Sequence, residues 1–195
     1  AAIVAHTELL EIRSRQSWSR GEPLWSEPPA RAYESVVALP EAERFELLPH
    51  LARTACQSLE SIARWDDDPL IRARMELSRR DATRYAEDAL ALAPRYRDHP
   101  QYGTAIYLAN MTLGTVALRD GDTKKAVLFL RRASRAPASE ELAYSNGIVS
   151  SHHWHLAADL LKLGEKEAVL EFLDRMSATS VANRYELREA ATAIR

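Results

Sequence analysis

The 195-residue chain has one cysteine, Cys56. It therefore cannot close an internal disulfide, which fits a reducing compartment and sets the cytoplasm as the expectation. Cys56 sits in H-L-A-R-T-A-C-Q-S-L-E-S-I, at a spacing that suits the buried side of a helix, and reads as a small buried hydrophobe. Glycine is also scarce, with six copies. No glycine-rich phosphate loop, nucleophile elbow or dinucleotide fingerprint occurs, so enzyme chemistry built on those motifs is not expected and no cofactor is implied. No apolar run approaches the roughly 20 residues that cross a bilayer. The opening A-A-I-V-A lacks a basic flank and is too short for a signal-peptide core, while a start on alanine keeps a removed leader open. Lys and Arg number 26 against 28 Asp and Glu, a net charge of −2. That balance offers no basic excess to a phosphate backbone, so nucleic acid is not the expected partner. Strand-like alternation of β-branched residues is absent as well.

What fills the chain is alanine, leucine, arginine and glutamate, all good helix formers, and the expected fold is all-α. Proline and capping residues punctuate it. A first helix is expected over 2–13, with Ile3, Leu9, Leu10 and Ile12 inward. The stretch S-W-S-R-G-E-P-L-W-S-E-P-P then reads as a loop pinned by Trp18, Leu24 and Trp25. A helix over 29–39 follows, and Pro40 starts another that Pro49 restarts or kinks and that runs to about 65. Asp68 before Pro69 reads as an N-cap and first-turn proline, opening a helix that stops before Pro94. After the linker R-Y-R-D-H-P come helices over 101–119 and 123–135, joined by Gly121-Asp122. Ser139 is a candidate cap and Asn146-Gly147 a break. A helix over 149–163 closes at Gly164, E-K-E-A-V-L-E-F-L-D-R-M forms its short partner, and N-R-Y-E-L-R-E-A-A-T-A-I-R ends the chain.

The stretch L-G-T-V-A-L-R-D-G-D-T-K-K-A-V-L-F-L-R-R-A carries the most information. Two helices joined by a tight turn nest only where residues at the crossing are small, and Gly114, Ala117, Ala126 and Ala133 supply that. Gly121 relieves the turn backbone and Asp122 can cap the second helix. These residues resemble the tetratricopeptide repeat, a helix–turn–helix unit of 34 residues. Leu113-Gly114, Ala126, Leu130 and Ala133 match its motif positions. Its proline falls one residue early, at Pro137, and Asn110 replaces its tryptophan. A degenerate second copy, W-H-L-A-A-D-L-L-K-L-G-E-K-E-A-V-L-E-F-L-D-R-M, aligns Ala168 with Ala126 and Gly164 with Gly121 through a turn one residue shorter. A partial third copy places Ala82, Ala86, Ala89 and Pro94 in a second helix, with Pro69 in its first. The resemblance covers roughly residues 70–177. It implies an irregular array of antiparallel helical hairpins over 69–195, ending in a capping helix, with the helices of 1–68 packed on it as part of one continuous domain.

Such proteins are generally scaffolds that bind peptides or partner proteins in a concave groove lined by the first helix of each pair. Carried over, the groove positions are Leu108, Met111, Thr115, Leu118 and Arg119 in one unit. In the other they are Ser151, Trp154, Ala158, Leu161 and Lys162. That set is apolar with two cations at one rim and suits an apolar segment with an acidic flank. The family's carboxylate clamp is missing, because Met111, Thr115, Trp154 and Ala158 occupy its positions. The competing expectation buries Leu108, Met111 and Trp154 against neighbouring helices.

Three further clusters bear on chemistry. In S-S-H-H-W-H-L-A-A-D, His152, His155 and Asp159 fall on one helical face and form a weak candidate metal set, the basis of an alternative reading as a small metal-dependent enzyme. Asp66, Asp67 and Asp68 read as a solvated capping turn. The arginines at 72, 74, 79, 80 and 84 alternate with acids and read as a solvated helix face. The expected function is a non-enzymatic protein-interaction or scaffold domain without membrane insertion, with self-association as a further alternative.

Overall fold

The computed structural model describes residues 29–62, 69–139, 142, 153–179 and 184–195. The helix expected over 2–13 and its pinned loop lie outside the described residues, as do Asp66 to Asp68 and the Asn146-Gly147 break. Within the described residues the chain is all-α, with eight helices and no strand. They are α1 (Pro29–Val37), α2 (Glu41–Ile62), α3 (Pro69–Leu92), α4 (Tyr102–Arg119), α5 (Thr123–Ser134), α6 (His153–Lys162), α7 (Lys166–Thr179) and α8 (Arg184–Ile194).

Each start has a local cause. Pro40 caps α2, its carbonyl accepting from the Arg44 amide, and Glu41 and Glu43 place negative charge in the first turn. Pro49 neither ends nor restarts this helix. The ring is fully buried, and that packing offsets the hydrogen bond its missing N–H denies to Phe45. Asp122 caps α5 by accepting from the Lys125 amide at 2.9 Å, and Ser139 accepts from the Leu142 amide in the same way.

The segment between α3 and α4 is held rather than free. Tyr96 stacks on Phe45 of α2 with ring centres 4.7 Å apart, and His99 meets the same ring edge-on. The Gln101 amide donates to His99 Nδ1, which leaves Nε2 facing the Glu46 carboxylate at 3.1 Å. Arg95 reaches Glu41 at 2.7 Å. These contacts tie the end of α3 to the start of α2, and those two helices form the most extensive pair in the described residues. The boundary set at 68/69 falls inside this pair, with α2 as the packing partner of α3. The proposed first helix of the third copy, carrying Pro69, is corrected accordingly: Pro69 opens α3 itself, and α2 supplies the partner.

Helix α4 lies at the centre, against α2, α3, α5 and α6. From Gly103 to Ala117 every residue but Ile106 is buried. The amide nitrogen of polar Asn110 turns back on its own helix, donating to the Ile106 carbonyl at 2.7 Å, while its Oδ1 is buried with no hydrogen-bond partner among the described residues. Two glycines set the closeness. A Cβ on Gly114 would lie 2.6 Å from a Leu156 methyl of α6 and 3.3 Å from Phe129 Cβ of α5. A Cβ on Gly103 would overlap the Pro137 carbonyl oxygen, where the chain leaving α5 crosses the start of α4. The Thr104 and Ser139 hydroxyls bond at 2.9 Å beside that crossing.

The two hairpins have the same turn. Gly121 and Gly164 both take positive φ, +80° and +89°. The Gly121 amide bonds the Leu118 carbonyl and the Asp122 amide that of Ala117; the Gly164 and Glu165 amides bond Leu161 and Leu160 likewise. This is one Schellman turn used twice, 43 residues apart. The second helices begin two residues after each glycine, so the second turn is not shorter and Ala126 aligns with Val169, not Ala168. In that register one buried pattern recurs in three helices. Ala82, Tyr85, Ala86 and Ala89 of α3 answer to Ala126, Phe129, Leu130 and Ala133 of α5, and these to Val169, Phe172, Leu173 and Met176 of α7. The steps are 44 and 43 residues.

The glycines divide by what they do, and unfolding in urea separates them. Gly103→Ala is expected to destabilise by about 1–3 kcal/mol, because a backbone carbonyl cannot rotate away. Gly121→Ala meets nothing within 4 Å, so its cost is the left-handed backbone alone, about 1–2 kcal/mol. A Gly103→Ala protein as stable as its parent would contradict the crossing.

Candidate interaction surface

Ten positions were carried over as groove lining, and the fold divides them. Leu108, Met111 and Thr115 are 1%, 4% and 8% exposed, because α4 is enclosed along this length. They are core residues, so the open groove expected along α4 is corrected: these three side chains offer nothing to a partner. Leu118 and Leu161 are half-buried, while Arg119, Ala158 and Lys162 are exposed. Ser151 and the side chain of Trp154 lie outside the described residues. What remains is a rim at the C-terminal ends of α4 and α6, equivalent across the repeat. Lys162 there pairs with Asp159 at 2.8 Å.

The metal candidates do not assemble within view. His152 lies outside the described residues, His155 is exposed, and Asp159 is taken up by Lys162. Among the described residues no three His, Cys, Asp or Glu side chains are placed to hold a metal ion. Cys56 is buried, as its spacing implied. No helix among the described residues is long and apolar enough to cross a membrane.

Two arginines of α3, Arg79 and Arg84, act as struts. Arg79 bonds Glu76 on its own helix and reaches Asp120, at the end of α4, at 3.3 Å. Arg84 lies over the Tyr33 ring at 3.2 Å, and the Tyr33 hydroxyl donates to Asp88 at 2.6 Å. Tyr33 in turn rests on Tyr85, ring centres 5.8 Å apart, which fastens α1 to α3. The hydrogen bond to Asp88 and burial push the Tyr33 hydroxyl above its ordinary range. Burial, with Asp81 adding to it, pushes Tyr85 up to about 12.

The densest charge cluster is one that the sequence reading passed over. Glu171 of α7 accepts hydrogen bonds from Arg135, at the end of α5, at 3.0 Å and from Arg175 of its own helix at 3.3 Å, and forms an ion pair with Arg131 of α5 at 3.0 Å. Asp174, one turn on, accepts Arg195 beyond α8 at 2.7 Å through both oxygens. A carboxylate thus stitches α5 to α7, and another stitches α7 to the end of the chain. The signal was present in the sequence: α5 carries four cations and no acid, with Arg135 as its C-cap, while Glu167, Glu171 and Asp174 of α7 occupy the positions of Lys124, Leu128 and Arg131.

Compared with protein-family models, curated proteins and solved structures, the chain matches none.

The hydrogen bond from Arg135, together with the surrounding arginine charge, holds the Glu171 carboxyl below its ordinary range. A depressed carboxylate contributes stability above its unfolded value, near 4.3, and that contribution is lost as pH falls through the lowered folded value. Glu171→Gln is therefore expected to cost up to about 1 kcal/mol at neutral pH and to soften the acid-induced loss of stability. Superimposable acid limbs for the two proteins would rule out the stitch.

Proposed function

We propose that the chain is a non-enzymatic interaction domain, an irregular hairpin array resembling tetratricopeptide repeats, which holds a segment of another protein. The observation that carries this reading is the buried register shared by α3, α5 and α7, together with the duplicated Schellman turn. Repeated helical pairs of this kind form their core between neighbours and leave their ends and edges to present residues outward. Because α4 is enclosed along its length, this reading takes the C-terminal rim of α4 and α6 as the binding surface. There Leu118 and Leu161 give apolar area, and Arg119 and Lys162 give positive charge. A short apolar segment with an acidic flank complements that combination.

Panning a displayed peptide library against the purified chain tests the reading. Enriched sequences are expected to combine apolar with acidic residues and to lose enrichment on Arg119→Glu/Lys162→Glu, whose sites are exposed. The same peptides enriched equally by both proteins would contradict a rim site.

A further inference from the structure

The outward side of α5 divides into two flanks with different fates. Toward α7, Arg131 and Arg135 converge on Glu171. On the other flank, Lys125 and Arg132 are exposed and pair with no carboxylate among the described residues. Lys125 and Arg132 lie 6.0 and 5.7 Å from the Phe129 ring centre, at the outer reach of a cation–π contact. Between them Leu128 is 46% exposed. On α7 the counterpart of Lys125 is Ala168, which is buried. Among the described residues α3 and α5 form no helix contact comparable to that between α5 and α7, and Lys125, Leu128 and Arg132 are exposed.

We propose that the open flank of α5 is a docking face for an acidic amphipathic helix of a partner protein. Charge and spacing both point to it. Lys125, Leu128 and Arg132 fall three and four residues apart, so they line one stripe about 10 Å long. A partner helix with carboxylates two turns apart and an apolar residue between them matches it. The opposite flank already shows α5 taking a carboxylate borne on a helix, through two arginines one turn apart. Two cations around an exposed leucine release too few counterions to hold a nucleic-acid backbone at physiological salt. This face is separate from the rim of α4 and α6 and goes beyond the reading proposed for it.

Fluorescence anisotropy of the full chain with two labelled helical peptides tests the proposal, one carrying glutamates around leucine and the other lysines in their place. The acidic peptide is expected to bind, more weakly as salt rises, and the lysine peptide not to bind. Lys125→Glu/Arg132→Glu should weaken the acidic peptide roughly tenfold and confer binding of the lysine peptide. Leu128→Ser should weaken it several-fold, and Arg119→Glu/Lys162→Glu should leave it unchanged. Circular dichroism melts establish that each variant is folded. Absence of acidic-peptide binding overturns the proposal, as does binding that survives reversal on α5. So does loss of binding on reversal at the rim, which would assign the peptide to that site instead. Binding confined to duplex DNA or anionic vesicles also overturns it.

Discussion

The fold depends on how closely bare backbone lets helices approach α4. A side chain at Gly114 would occupy space held by Leu156 and Phe129, and one at Gly103 would occupy that of the Pro137 carbonyl. Those two absences of a Cβ bring α6 and the exit of α5 against the same helix. With α2 and α3 on its remaining sides, α4 becomes an interior element although polar residues run through it. Dense packing at such crossings leaves little room for adjustment, which makes the glycines structural parts rather than spacers.

Around that centre, one apolar pattern serves three helices while their charges change. The aromatic position is Tyr85, Phe129 and Phe172 in turn, always buried. Its surroundings are mixed on α3, where Asp81, Arg84 and Asp88 lie around Tyr85 and Tyr33, and basic on α5, where Lys125 and Arg132 flank Phe129. Burial fixes where each helix can sit; the flanking charges decide what may lie beside it. The Glu171 cluster joins α5 to α7 on that basis, and among the described residues no such acid meets Lys125 and Arg132 on the other side.

Much of the fold was legible in the residues. Helix formers with few glycines gave the class, and prolines and capping residues placed most of the helix ends, because both act locally. Gly121 and Gly164 read as turns for the same reason. Three features were not legible. Gly103 meets a carbonyl 34 residues away, and nothing in its own neighbourhood announces that contact. Pro49 looked like a break, since local chemistry cannot reveal that burial of its ring compensates. Leu108, Met111 and Thr115 fit an open groove by alignment, but their exposure depends on how completely the other helices surround α4. Pairing between α5 and α7 was visible as opposite charges in register, once the register was correctly set at Val169.

The most direct measurement is a double-mutant cycle across the α4–α6 crossing, following unfolding free energy for Gly114→Val, Leu156→Ala and the two combined. If Leu156 fills the space next to bare backbone at Gly114, shortening it makes room for valine, and the pair should couple favourably by about 1 kcal/mol or more. Costs that simply add, to within about 0.3–0.5 kcal/mol, would mean that the two sites do not touch and would contradict the account.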